Sequence, residues 1–272
     1  MTGAERIEEY MKESWRNQNI FSVRGKKALI PGGTKGLGCA MAECLLENGC
    51  DVTLVGRNAV DLSPLQDLAR ENGSKCLFIS ADITLPDAAK EVVEKAEERM
   101  GRIDILINSA GMNRPKMAED MDDDTWKQIL TLNLDASFFM ARESIRVMRK
   151  NHYGKIINIS SMKGFLGVCD QGYTAYCASK GAINMLTKQL ACEVAHDGIT
   201  VNAIAPTFIK TNINAKQLED PVFYKSLTDR IPVGRIGEFK DLMGLMLLFA
   251  SDASQFITGQ IVRLDGGISA SQ

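Results

Sequence analysis

The sequence predicts a single α/β domain built on a doubly wound, seven-stranded parallel sheet with helices on both faces. Three observations carry this expectation. Seven short β-rich runs, KALI, DVTLV, KCLFI, IDILI, KIINI, TVNAI and QIVRL, alternate with amphipathic stretches from Lys26 onward, and that rhythm is the mark of repeated βα units. The 272 residues are 45% apolar, enough for one large core. No shift in composition marks a second domain, so residues 25–272 are taken as one unit and residues 1–24 as an N-terminal extension. In that extension Ile7, Tyr10, Met11 and Trp15 fall at helical spacing. They would dock a helix on the body or on a neighbouring subunit, with a frayed tail as the alternative.

The composition excludes several classes of function. The formal charge is −2 with acids and bases mixed along the chain, so no electrostatic footprint for nucleic acid or an anionic membrane stands out. No apolar run reaches the length of a membrane span, and the first residues are too charged for a signal peptide. The seven cysteines show neither disulfide-scaffold density nor paired metal-ligand spacing, and two histidines are too few for a histidine metal site. A cytoplasmic protein with reduced thiols, no metal and a small-molecule substrate is the expectation.

In a doubly wound sheet, ligands bind beyond the carboxyl ends of the strands. After the first run comes PGGTKGLG, residues 31–38, followed at once by the helical stretch CAMAECLLENG. Gly32, Gly36 and Gly38 let the backbone turn tightly and approach a ligand, and the helix that follows offers free N–H groups to a phosphate. The second run ends in VGRN, where an acid would bond a ribose 2′-hydroxyl and an arginine accommodates a 2′-phosphate. Arg57 stands there, with Lys35 in the glycine loop as a second cation. Together they predict NADP(H) in preference to NAD(H).

Farther on, YTAYCASK, residues 173–180, holds two tyrosines and one lysine. Residues four apart share a helix face, so Lys180 is the neighbour of Tyr176 and not of Tyr173. A unit charge about 5 Å away, at an effective dielectric of ~20, favours the phenolate by about 3 kcal/mol, or ~2 pKa units. On that reasoning Tyr176 is a usable acid or base near neutral pH.

Taken in order, these motifs resemble the Rossmann-type short-chain dehydrogenases/reductases, from about Lys26 to the C-terminus. The glycine loop is similar to that family's TGxxxGxG, ADIT at 81–84 to its adenine-contacting turn, and NSAG at 108–111 to its NNAG strand end. LNLD at 132–135 supplies the family asparagine, ISS at 159–161 its serine, YCASK its YxxxK pair and LDGG at 264–267 its C-terminal signature. The resemblance implies a catalytic set of Asn133, Ser161, Tyr176 and Lys180. Tyr176 would exchange a proton with the substrate oxygen and Ser161 would hydrogen-bond that oxygen, Ser160 being the rival. Lys180 would lower the Tyr176 pKa and hold the nicotinamide ribose, and Asn133 would anchor a proton-relay water. A nicotinamide cofactor would be held by Gly32, Thr34, Lys35, Gly36, Leu37, Gly38, Arg57, Asp82, Ile83, Asn108, Ala110, Gly111, Tyr176, Lys180, Pro206, Ile209 and Thr211.

The substrate would meet Ser161, Tyr176, Arg114, Lys163, Phe165, Tyr173 and Phe208. Within the family, GMNRP, KIINISSM, DPVF…PVGRIGE and SDASQFITGQIVRLDGG look most like gluconate 5-dehydrogenases and related sugar-acid dehydrogenases. A hydroxysteroid or other apolar ketone is the alternative substrate, and a non-catalytic NADP(H)-binding sensor or scaffold the alternative of another class. The resemblance also implies a homotetramer or homodimer, pairing helices around 123–149 and 175–197 with a second contact through the last strand. The sequence departs from the family pattern at Pro31, Ser109 and Thr207, and by about two extra residues between Ser161 and Tyr176.

Overall fold

The computed structural model describes residues 19–211 and 215–271, so the helical spacing of Ile7 to Trp15 lies outside the described residues. Each of the seven β-rich runs forms a strand: β1 (Lys27–Pro31), β2 (Asp51–Gly56), β3 (Cys76–Ser80), β4 (Ile105–Asn108), β5 (Gly154–Ile159), β6 (Ile199–Pro206) and β7 (Ile261–Leu264). All pair in parallel in one sheet of order β3-β2-β1-β4-β5-β6-β7. β1 therefore lies between β2 and β4, and the winding direction reverses between β1 and β4. That reversal leaves a crevice at the carboxyl ends of the strands.

The helices in chain order are α1 (Gly36–Glu47), α2 (Ser63–Glu71), α3 (Ala88–Met100), α4 (Asp123–Leu130), α5 (Ala136–Lys150), α6 (Thr174–Val194), α7 (Ala215–Leu218), α8 (Pro221–Thr228) and α9 (Phe239–Ala250). Side chains of a strand alternate between the two faces, so consecutive residues feed separate cores. Ala28 and Ile30 of β1 join Met41 and Leu45 of α1 and Leu242, Met246 and Phe249 of α9 on one face. Leu29 between them joins Val92 and Ala96 of α3, Met140 and Ile145 of α5 and Leu190 of α6 on the other. Fully burying such a side chain contributes about 1.5–3 kcal/mol, which makes the register of β1 hard to shift.

Two local features place the site. A wider π-helical turn, Thr131–Asp135, joins α4 to α5 and carries Asn133, as such turns often do at functional positions. A small apolar cluster of Leu227, Ile231 and Ile236, packed with Phe208, Phe223 and Tyr224, holds the segment after β6 over the crevice. Among the described residues no helix is long and apolar enough to cross a membrane and no group of side chains has metal-ligand arrangement.

Candidate active site

A cavity of about 500 Å³ opens at the carboxyl ends of β1, β4, β5 and β6. One half is backbone. Gly32, Lys35, Gly36 and Leu37 form its floor, and Ser109, Ala110 and Gly111 face them from the end of β4. The packing shows why this loop needs glycine. A Cβ on Gly38 would stand 2.4 Å from the Gly32 carbonyl oxygen, and one on Gly32 would stand 2.7 Å from Ala110 backbone. Gly36, at φ +55°, meets nothing within 4 Å and faces open space. The residue capping α1 is Lys35, which makes no side-chain cap bond, and the first turn holds no acid. The amino end of α1 therefore offers uncapped N–H groups and a partial positive charge, the arrangement a dinucleotide pyrophosphate requires.

Pro31 costs this loop little. Gly32 N–H donates to the Val55 carbonyl (3.0 Å), Gly33 N–H to Ile30 (3.0 Å) and Ser109 N–H to Pro31 (3.2 Å), so backbone bonds steady the turn. Thr207, the second departure, donates its N–H to the Leu264 carbonyl at 3.0 Å and lines the cavity.

The other half of the cavity is chemical. Ser160, Ser161, Met162 and Lys163 follow β5, and Tyr173, Tyr176 and Lys180 come from α6. The Ser161 hydroxyl lies close enough to the Tyr176 phenol to favour its ionised form and accepts the Lys163 N–H at 3.1 Å. The Ser160 hydroxyl turns away to the Asn184 Oδ1 (2.6 Å) and the Lys180 carbonyl (3.3 Å). Lys180 Nζ donates to the Ile159 carbonyl at 2.7 Å and stands 5.7 Å from the centre of the Tyr176 ring. Burial holds the Lys180 amine down to about 8.

Burial also pushes the Tyr176 phenol above its ordinary value, against the Ser161 hydroxyl that favours its ionised form. This reverses the shift expected from Lys180. Removing a phenolate from water costs more here than the attraction of a nearby ammonium returns. Tyr176 thus stays protonated through neutral pH.

Other expected site residues lie elsewhere. Asn133 is buried, its Oδ1 accepting the Met112 N–H (2.8 Å) and its Nδ2 donating to the Met112 carbonyl (2.9 Å) and the Ser179 hydroxyl (3.0 Å). With both amide protons committed, its side chain braces the loop after β4 against α6. Asn108 turns into the sheet, donating to the Ser137 carbonyl (3.1 Å) and Asn158 Oδ1 (2.9 Å), and does not line the cavity. Arg114 donates to Gln128 Oε1 at 2.6 Å, and Phe165 lies under the Arg263 guanidinium at 4.7 Å, so neither lines the cavity. Ile209 is buried beneath Gly237, where a Cβ would meet its side chain at 2.4 Å.

Pro206, Phe208 and Thr211 do line the cavity. Thr34 packs against Gly56, and Arg57, Asp82 and Ile83 follow β2 and β3 along the same carboxyl edge. Asp82 is held below the usual carboxylate range by the Thr84 hydroxyl, with Arg57 adding a smaller pull in the same direction.

Asn113, on the loop after β4 that the sequence places at the pocket, belongs to the cavity's polar side. Its Oδ1 is buried and unpartnered. Arg230 lies close enough to Lys163 to depress that amine, which burial already holds low. The long segment between Ser161 and Tyr176 is pinned by Gly172, at φ +62°, whose carbonyl accepts the Lys116 N–H at 3.0 Å. A Cβ there would stand 2.5 Å from Lys116 backbone.

Comparison with known proteins agrees with this geometry. A family model described as enoyl-(acyl carrier protein) reductase matches residues 32–269. A gluconate 5-dehydrogenase of Gluconobacter oxydans (strain 621H) is 35% identical over 93% of this chain and 98% of its own. A 2-dehydro-3-deoxy-D-gluconate 5-dehydrogenase of Dickeya dadantii (strain 3937) is 39% identical over 92% and 97%. The structure of a gluconate 5-dehydrogenase from Burkholderia cenocepacia J2315, in complex with NADP and tartrate, superposes with a TM-score of 0.87 at 33% identity, covering 93% of this chain and 99% of that one. On these matches the chain is a member of the short-chain dehydrogenase/reductase family of oxidoreductases.

Proposed function

We propose that this oxidoreductase interconverts a secondary alcohol and a ketone on a sugar acid such as gluconate/5-dehydrogluconate, using NADP(H) in preference to NAD(H). The observation that carries the substrate class is the polar side of the cavity. Lys163 lines it two residues from Ser161, and Asn113 presents a buried acceptor without a partner. A carboxylate meets the Lys163 cation there, and a substrate hydroxyl satisfies Asn113. That relatives are named for gluconate oxidation, one of them crystallised with the hydroxy-acid tartrate, supports the same class.

The bound nicotinamide supplies or accepts the hydride. The chain's own residues handle the oxygen. In the reducing direction the Tyr176 phenol gives its proton to the carbonyl oxygen as charge develops on it, and the Ser161 hydroxyl hydrogen-bonds the same oxygen. Lys180 stands beside the phenol as the charge that stabilises its ionised form once the proton has left. Oxidation runs the same steps backward. Gly32, Gly36, Gly38 and the amino end of α1 hold the pyrophosphate, and Arg57 with Lys35 the 2′-phosphate.

The test follows NADPH absorbance with purified protein and 5-dehydrogluconate, with a keto-steroid in parallel. Oxidation with the sugar acid alone is the expected result. Turnover of the steroid alone would overturn the substrate assignment, and NADPH binding without turnover of any carbonyl would favour a sensor.

For assembly we infer a homotetramer or homodimer. Phe139 on α5 and Met185 on α6 are 39% and 61% exposed, and Val262 faces solvent on the edge strand β7. Sedimentation of a monomer at micromolar concentration would exclude it.

A further inference from the structure

A second cavity, of about 310 Å³, lies at the opposite end of the sheet, where β5 and β6 begin. Its walls include His152, Tyr153, Lys155, Thr200, Gln255 and Thr258. Lys155 is 1% exposed, the largest of the fully buried side chains. Its Nζ donates to the Ser254 hydroxyl at 3.5 Å, the outer limit for such a bond, and stands 5.7 Å from the centre of the Tyr153 ring. Among the described residues it forms no ion pair. Asp252, whose charge reaches it, is engaged by the Tyr153 hydroxyl at 2.8 Å and by Lys26 at 3.6 Å.

Thr200 adds a second, independent deficit. Its Oγ1 is buried and has no hydrogen-bond partner. Buried polar groups are almost always paired, and an ammonium taken out of water with its nearest carboxylate engaged by other groups is costly to leave without a direct partner. Here a cation and a hydroxyl, both under-satisfied, border one cavity whose walls carry no carboxylate. Thr258 contributes another hydroxyl, its oxygen accepting the Val201 N–H at 3.0 Å and leaving its proton to give. Gln255 and His152, both exposed, stand at the rim. A donor-rich, acid-free wall suits an anion and not a metal ion, and the volume exceeds what a single water fills.

We propose that this cavity binds a small oxyanion, of the size of inorganic phosphate, between the Lys155 ammonium and the hydroxyls of Thr200 and Thr258, at a site separate from the catalytic cleft. Three carboxyl-side features that hold the cofactor take no part in it: the glycine loop, the amino end of α1 and Arg57.

The experiment is calorimetric titration of inorganic phosphate into the full chain with saturating NADP⁺, so that the phosphate positions of the cleft are already filled. Saturable binding is expected in the natural protein, lost in Lys155→Met and about tenfold weaker in Thr200→Val, the loss of one hydrogen bond to a charged ligand. NADPH-dependent turnover in both variants should match the natural protein. Thr200→Val removes an oxygen that bonds nothing in the chain, so it keeps the test decisive should Lys155→Met fail to fold. Absence of saturable binding, equal binding in natural protein and Thr200→Val, or a crystal structure grown in phosphate with only water in the cavity would each overturn the proposal.

Discussion

Lys180 Nζ donates a 2.7 Å hydrogen bond to the carbonyl of Ile159, the last residue of β5. The lysine of the α6 face is thereby tied to the strand that delivers Ser161 two residues later. Serine, tyrosine and lysine consequently form one rigid unit across two elements, and their individual contributions can be separated by substitution.

Tyr176→Phe removes the proton that the reaction needs and keeps the ring. Turnover should fall by about 10²–10⁴-fold, the usual contribution of a positioned acid. The dissociation constant for NADPH, measured by fluorescence titration, should stay within about twofold. Retained turnover would assign the acid elsewhere, Tyr173 being the next candidate because its ring lies 6.2 Å from that of Tyr176.

The two adjacent serines should behave oppositely. Ser161→Ala should cost about 10²–10³-fold in kcat, as loss of an oxyanion donor does. Ser160→Ala breaks the bond to Asn184, and should lower stability by about 1–2 kcal/mol in urea unfolding with kcat little changed. A larger kcat loss in Ser160→Ala than in Ser161→Ala would exchange their roles.

Lys180 links stability to pH. Its amine titrates at about 8 in the folded chain, against 10.5 ordinarily. Between those values the unfolded state holds the proton and the folded state has lost it, so the Lys180 contribution to stability rises with pH across that window and is flat below it. The stability of the natural protein relative to Lys180→Met should therefore improve from pH 8 toward pH 10.5, by up to about 3 kcal/mol. A flat difference in chemical unfolding across that range would show that the buried amine is not depressed.

Arg57 tests cofactor choice. One charge-assisted bond contributes about 1.5–3 kcal/mol, so Arg57→Ala should reduce the NADPH-over-NADH ratio of kcat/KM about ten- to a hundredfold. An unchanged ratio, or comparable use of both cofactors by the natural protein, would remove Arg57 from the site.

Lys163 tests the carboxylate. Lys163→Met should raise KM for 5-dehydrogluconate about ten- to a hundredfold and leave KM for an uncharged hydroxyketone nearly unchanged. Equal effects on both substrates would mean that Lys163 shapes the pocket without contacting charge.

What the amino-acid sequence determined by itself was what depends on local spacing. Seven β-rich runs became seven parallel strands, because strand formation and burial on two faces are written in short apolar segments. The glycines after β1 and the Tyr176–Lys180 pair were legible for the same reason: a tight turn and a helix face are each set within a few residues. The tertiary structure decided what depends on where distant elements meet. Ser160 reaches Asn184 and Ser161 lies beside Tyr176, two positions eight residues apart on α6, because neighbours on an extended chain face different ways. Arg114 was withdrawn by Gln128 and Phe165 by Arg263, partners 14 residues away and on another strand. The Tyr176 pKa moved upward because desolvation is a property of the whole surrounding core, which no local pair of residues specifies.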